Sequence, residues 1–79
     1  MKKVLVAEDD QFLCKAYKAS FEKAGFETKI VSNGKELEEV LDKYLPDIIL
    51  LDLMMPVQDG FETLSNLQNN KKYKKIPVT

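Results

Sequence analysis

The residues of this chain that could do chemistry are acids. Glu8, Asp9 and Asp10 follow the run KVLVA, and Asp52 closes the run IILL, with Leu53, Met54 and Met55 directly after it. The chain has one cysteine, Cys14, and no histidine. A disulfide within the chain and a zinc site of the Cys/His type are therefore excluded, and Cys14 reads as a small helix residue kept reduced. Any metal is held by oxygen, which points to Mg2+ or Ca2+. Carboxylates brought close together raise one another's pKa unless a cation neutralises them, and Mg2+, which takes a few carboxylates and keeps several waters, suits such a cluster. A carboxylate beside such an ion can attack phosphorus, because the metal screens its repulsion from the phosphoryl oxygens. Asp52 is the candidate nucleophile. The plainer alternative remains open: Asp9 or Asp10 caps a helix, Asp59 caps another, and Asp52 is a solvated strand end.

Only a particular order of elements brings these acids together. KVLVA (3–7) is too short for a helix and rich in Val, so it predicts a buried strand ending at Glu8. Phe12, Leu13, Ala16, Tyr17, Ser20, Phe21 and Ala24 recur at helical spacing, with Gly25 where a C-terminal cap belongs. FETKIVS (26–32) alternates and predicts an edge strand. Asn33-Gly34 breaks the chain, and Leu37, Val40, Leu41 and Tyr44 predict a second helix that runs from Lys35 and is stopped by Pro46. IILL (48–51) does not alternate and reads as a central strand covered on both faces. Asp59 can cap a third helix with Phe61, Leu64 and Leu67 on one stripe, and IPVT opens a fourth strand. The order βαβαβαβ implies parallel pairing and an open α/β sheet with helices on both faces. Any site then lies at the C-terminal strand ends, where neighbouring first and third strands would bring Glu8, Asp9, Asp10 and Asp52 to one edge.

Bulk properties narrow the function classes. The 79 residues form one domain, 44% hydrophobic and 32% charged, which places the chain among globular proteins. Twelve basic against thirteen acidic residues, net charge −1, give no global attraction to nucleic acid or to anionic lipid. The apolar run after the first lysines ends at Ala7, too short for a signal peptide, and the expected location is the cytoplasm. Lys71, Lys72, Lys74 and Lys75 read as a solvated loop at the sheet end opposite the acids.

The segments VLVAEDD and, some forty residues on, PDIILLDLMMPVQDG closely resemble the receiver domain of bacterial two-component response regulators, over the whole 79 residues. The resemblance implies a flavodoxin-like fold. It also implies that Glu8 and Asp9 hold Mg2+, that Asp52 accepts phosphate from a histidine kinase or a phosphotransfer protein, and that the backbone carbonyl of Met54 completes the metal site. Pro56, Asp59 and Gly60 match the turn that follows.

Receivers of this family have five strands and five helices, so the resemblance implies a receiver truncated at the start of its fourth strand. The Ser or Thr of strand four and the Lys of strand five then have no counterpart, and Thr79 stands too early to be the former. A sheet so shortened exposes a hydrophobic edge and face, and the expectation is a homodimer in which a second copy covers them, with exchange of the terminal segment as one geometry. The leading function is a phosphoacceptor module without an output domain, whose only catalysis is self-phosphorylation and autodephosphorylation at Asp52. The alternative is a homodimeric interaction or structural protein with weak or lost phosphotransfer. A Mg2+-dependent phosphohydrolase is disfavoured, since Leu53 and Met54 offer no base beside Asp52.

Overall fold

The structure, a computed structural model, describes residues 2–52 and 60–79. Its elements are β1 (Lys3–Ala7), α1 (Gln11–Lys23), β2 (Glu27–Val31), α2 (Gly34–Leu41), β3 (Ile48–Leu51) and α3 (Gly60–Gln68). The three strands form a parallel sheet in the order β2-β1-β3, with Ala7 opposite Val31 on one side and Leu51 on the other. The strand expected at IPVT is present as one parallel bridge, Ile49 to Val78, on the free side of β3. It is held by Ile49 N–H to the Pro77 carbonyl at 2.9 Å and Leu51 N–H to the Thr79 carbonyl at 3.0 Å. β2 lies at the edge, as its alternation predicts, and β3 lies between β1 and that bridge. The cover expected on both faces of β3 is not complete, because Ile49 and Leu51 are buried while Ile48 and Leu50 on the other face are only half-buried. The fold is the expected flavodoxin-like α/β arrangement.

Each helix has a local cause. The Asp10 side chain caps α1, accepting from Phe12 N–H at 2.9 Å and Leu13 N–H at 3.2 Å. The helix ends at Gly25, whose φ of 93° favours glycine. There Phe26 N–H reaches the Phe21 carbonyl and Gly25 N–H the Glu22 carbonyl, with the Phe21 and Phe26 rings edge to face at 5.9 Å. This is a Schellman ending with its hydrophobic contact. Asn33 caps α2 by accepting from Glu36 N–H at 2.9 Å, and the Glu36 carboxylate reaches back to Ser32 N–H.

Two expectations are corrected. α2 stops at Leu41, well before Pro46. Lys43 and Tyr44 N–H both turn to the Val40 carbonyl, and the Tyr44 hydroxyl donates to the Glu27 carbonyl of β2 at 3.2 Å. Phe61 is 62% exposed, whereas Thr63 and Leu67 are buried. At 3.6 residues per turn Phe61 lies roughly 120° round α3 from Leu67, off the face that meets the core. The Asp59 cap lies outside the described residues.

The core sits on the sheet face that carries Leu5, Ala7, Ile49 and Leu51, against Leu37 and Leu41 of α2, Leu67 of α3 and Tyr73. Val4 and Val6 alternate to the opposite face, where α1 packs on β1 and β2. No α1 residue is buried, and Phe12 is 80% exposed.

Candidate functional site

The site is made by strand register. Glu8 leaves β1 with its N–H donating to the Val31 carbonyl at 3.0 Å, and Asp52 leaves β3 with its N–H donating to the Ala7 carbonyl at 3.0 Å. Because Ala7 is opposite Leu51, both acids emerge side by side at the C-terminal edge of the sheet. Glu8, Asp9 and Asp52 each offer a carboxylate oxygen, and these oxygens lie within 4.8 Å of one another. Glu8 is buried, Asp52 half-buried and Asp9 exposed. The cluster is open on one side and anchored on the other.

Burial pushes the Glu8 carboxyl above the usual carboxylate range. The Asp10 N–H, donating to Glu8 Oε2 at 3.2 Å, opposes that rise, while the charge of Asp52, its hydrogen bond to Glu8 and the charge of Asp9 add to it. This is the electrostatic signature of acids held closer than water alone would favour. The donor set is oxygen only, partly desolvated and open to water, which fits a hard divalent cation such as Mg2+.

Of the residues singled out by sequence, the structure gathers Glu8, Asp9 and Asp52, and it resolves the role of Asp10, which caps α1. The Met54 carbonyl lies outside the described residues, as does Pro56. Thr79 pairs beside Leu50, two residues short of Asp52 along the strand direction, so it does not reach the acids. The lysines at 71, 72, 74 and 75 are all exposed and precede the bridge at Val78, at the sheet end away from the acids. Sequence reasoning missed the neighbour below Glu8: Cys14 Sγ donates to the Glu8 carbonyl at 3.2 Å. Burial, then Glu8, Asp10 and Asp9, push the Cys14 thiol up and keep it protonated as a donor. The signal was its place one turn after the cap, which aims a helical side chain back over the strand end.

The profile of the response regulator receiver domain matches residues 4–79. The chain belongs to this receiver family. Among its relatives, the probable transcriptional regulator ycf29 of Pyropia yezoensis is 38% identical over 76 residues, covering 96% of this chain and 34% of that protein. The receiver domain of the Francisella response regulator 1452 is 36% identical with a TM-score of 0.88, covering 99% of this chain and 63% of that one. The phosphorylated cyanobacterial phytochrome response regulator RcpA is 29% identical with a TM-score of 0.91, covering 98% of this chain and 61% of that one. This receiver thus spans about a third of the ycf29 protein and under two thirds of the matched structures. It is a receiver domain of two-component signalling, and none of its described helices is long and apolar enough to cross a membrane.

Proposed function

We propose that this receiver is a phosphoacceptor module in which Asp52 takes a phosphoryl group from a histidine kinase or a phosphotransfer protein. The observation that carries the reading is the meeting of the Glu8, Asp9 and Asp52 carboxylates within 4.8 Å at the C-terminal sheet edge. Glu8, Asp9, Asp52 and the Met54 carbonyl are the residues that would hold Mg2+, whose charge offsets the repulsion between Asp52 and the incoming phosphoryl oxygens. In the transfer an Asp52 carboxylate oxygen forms a bond to phosphorus, the bond from phosphorus to the donor histidine nitrogen breaks, and the phosphoryl group stays on Asp52 as an acyl phosphate. Glu8, held by β2 through its N–H and by Asp10 through its carboxylate, keeps a second acid fixed beside the nucleophile. RcpA, similar in sequence and fold, was solved phosphorylated, which supports the same chemistry here. The catalytic content is limited to self-phosphorylation and autodephosphorylation, and the proposed location is the cytoplasm.

The exposed Phe12 and Leu13 at the start of α1 favour a second element of the reading, the homodimer, in which another copy covers the free sheet edge and this helix. In the form without phosphotransfer, that dimer is the whole function and the acids are a vestige. Incubation with acetyl phosphate and Mg2+, read by intact mass, separates the two. The expected result is one added phosphoryl group on wild type, none on Asp52→Ala and none when Mg2+ is chelated. An unchanged wild-type mass overturns phosphoacceptance and leaves the interaction protein. Light scattering tests the dimer, and a monomer across the micromolar range removes it.

A further inference from the structure

We infer that Cys14 is a positioning residue for the acid site: its thiol fixes the Glu8–Asp9 peptide plane and so aims the Asp9 carboxylate at the centre it shares with Glu8 and Asp52. The inference rests on the Mg2+ reading above and names one residue that makes that site.

The three carboxylates are held unequally. Glu8 is buried and is tied twice, its N–H to the Val31 carbonyl at 3.0 Å and its Oε2 to the Asp10 N–H at 3.2 Å. Asp52 follows a strand flanked on both sides, and its N–H is tied to the Ala7 carbonyl at 3.0 Å. Asp9 is exposed, and no hydrogen bond among the described residues holds its side chain. Its backbone therefore sets the one thing that is fixed about it, the Cα–Cβ direction from which the carboxylate reaches the centre.

Cys14 holds that backbone. Its Sγ donates at 3.2 Å to the Glu8 carbonyl oxygen, which belongs to the same planar peptide unit as the Asp9 N–H. Fixing this oxygen sets ψ of Glu8 and φ of Asp9 together, the two dihedrals that orient Asp9 relative to the sheet. α1 places the thiol for the task. Cys14 N–H donates to the carbonyl of the capping Asp10 at 2.9 Å, so Cys14 stands in the first turn, and its side chain leans toward the helix N-terminus and over the end of β1. The chain's single cysteine thus couples the start of α1 to the most loosely held ligand of the site.

The test compares wild type, Cys14→Ala and Cys14→Ser by Mg2+ titration calorimetry. Each metal-free protein is also read by its urea midpoint and by the Asp9 amide order parameter. Cys14→Ala is expected to bind Mg2+ roughly three- to tenfold more weakly and to lower the Asp9 order parameter, the size expected for one lost hydrogen bond. Its urea midpoint should fall by no more than the loss of that one bond accounts for, and Cys14→Ser, which keeps a donor, should restore both affinity and order. Equal affinity in wild type and Cys14→Ala overturns the role of Cys14 while the Mg2+ reading stands. A loss that Cys14→Ser does not rescue overturns it as well, since it marks packing rather than donation. If wild type itself binds no Mg2+, the proposed function fails and this inference fails with it.

Discussion

The two faces of the sheet are stabilised in different ways. On one, Leu5, Ala7, Ile49 and Leu51 interdigitate with Leu37, Leu41, Leu67 and Tyr73 in one buried cluster. Polar contacts tie its rim, the Tyr73 hydroxyl to Asp42 Oδ1 at 2.9 Å and Asn66 Nδ2 to Glu38 Oε2 at 3.3 Å. On the other, Val4 and Val6 lie beneath α1, none of whose own residues is buried. α1 is held there by the half-buried Cys14, Tyr17 and Phe21 and, at its ends, by the Asp10 cap and the Schellman turn at Gly25. The difference teaches where the stability and the function of this receiver reside. The filled face carries the fully buried core, and the lightly buried helix follows the acid loop and carries Cys14 beside it.

The largest test pits one face against the other. Leu37 is fully buried, and Leu37→Ala is expected to cost about 2–5 kcal/mol through lost transfer energy and a cavity. That is a large share of the stability of any small domain. Phe12→Ala, at an 80% exposed position, should stay within about 0.5 kcal/mol. Urea titrations followed by circular dichroism give both numbers. At concentrations where the chain is monomeric, comparable losses would break the contrast. In the proposed dimer, which covers Phe12, the Phe12→Ala loss should instead grow with protein concentration.

Next in size is the cap. Asp10→Ala removes the acceptor for Phe12 and Leu13 N–H and should cost about 1 kcal/mol. Since α1 has no fully buried residue to hold it, the loss should be local. Amide exchange should accelerate through the first turns of α1 while α2 and α3 keep their protection. Acceleration spread evenly over all three helices would mean that α1 and the filled face unfold as one unit.

The same contrast explains what the sequence could and could not say. KVLVA and IILL are short apolar runs with nothing helical about them, and β1 and β3 occupy those residues without a shift. The acids at their ends follow from parallel register, so three of the site's carboxylates were legible before any coordinates. The choice of cap was not legible from residue type: Asp9 and Asp10 are chemically equal, the resemblance alone implied Asp9 for the site, and the start of α1 at Gln11 assigns the cap to Asp10. Phe61 misled because residues 61, 64 and 67 mimic a stripe. The core instead took Thr63, a polar residue that hydropathy does not nominate. The Cys14 contact depends on where a helical side chain leans, which spacing alone does not reveal.

A smaller effect sharpens the filled face. Tyr73→Phe keeps the buried ring and deletes only the hydroxyl bonded to Asp42. Because Asp42 is exposed and its carboxylate regains water, the loss should be about 0.5–1.5 kcal/mol by urea titration. A loss as large as that of Leu37→Ala would mean that the rim bonds, rather than the apolar cluster, hold this face together.

A last effect is one of pH, at the sheet edge, and shows only in alkaline solution. Burial, and then the Glu27 carboxylate beside it, push the Tyr44 hydroxyl up to about 12, against about 10 for an exposed tyrosine. A pKa raised in the folded state means that folding favours the protonated phenol. Its contribution is therefore complete below pH 10 and is lost as pH rises from about 10 to about 12. Lysines titrate in the same window, so the informative quantity is the difference between wild type and Tyr44→Phe. The wild-type urea midpoint should fall more steeply across that interval, and the two should run parallel below it. Parallel curves throughout would mean that Tyr44 ionises in the folded protein as freely as in water, which the 3.2 Å bond from its hydroxyl to the Glu27 carbonyl argues against, since ionisation removes the donor.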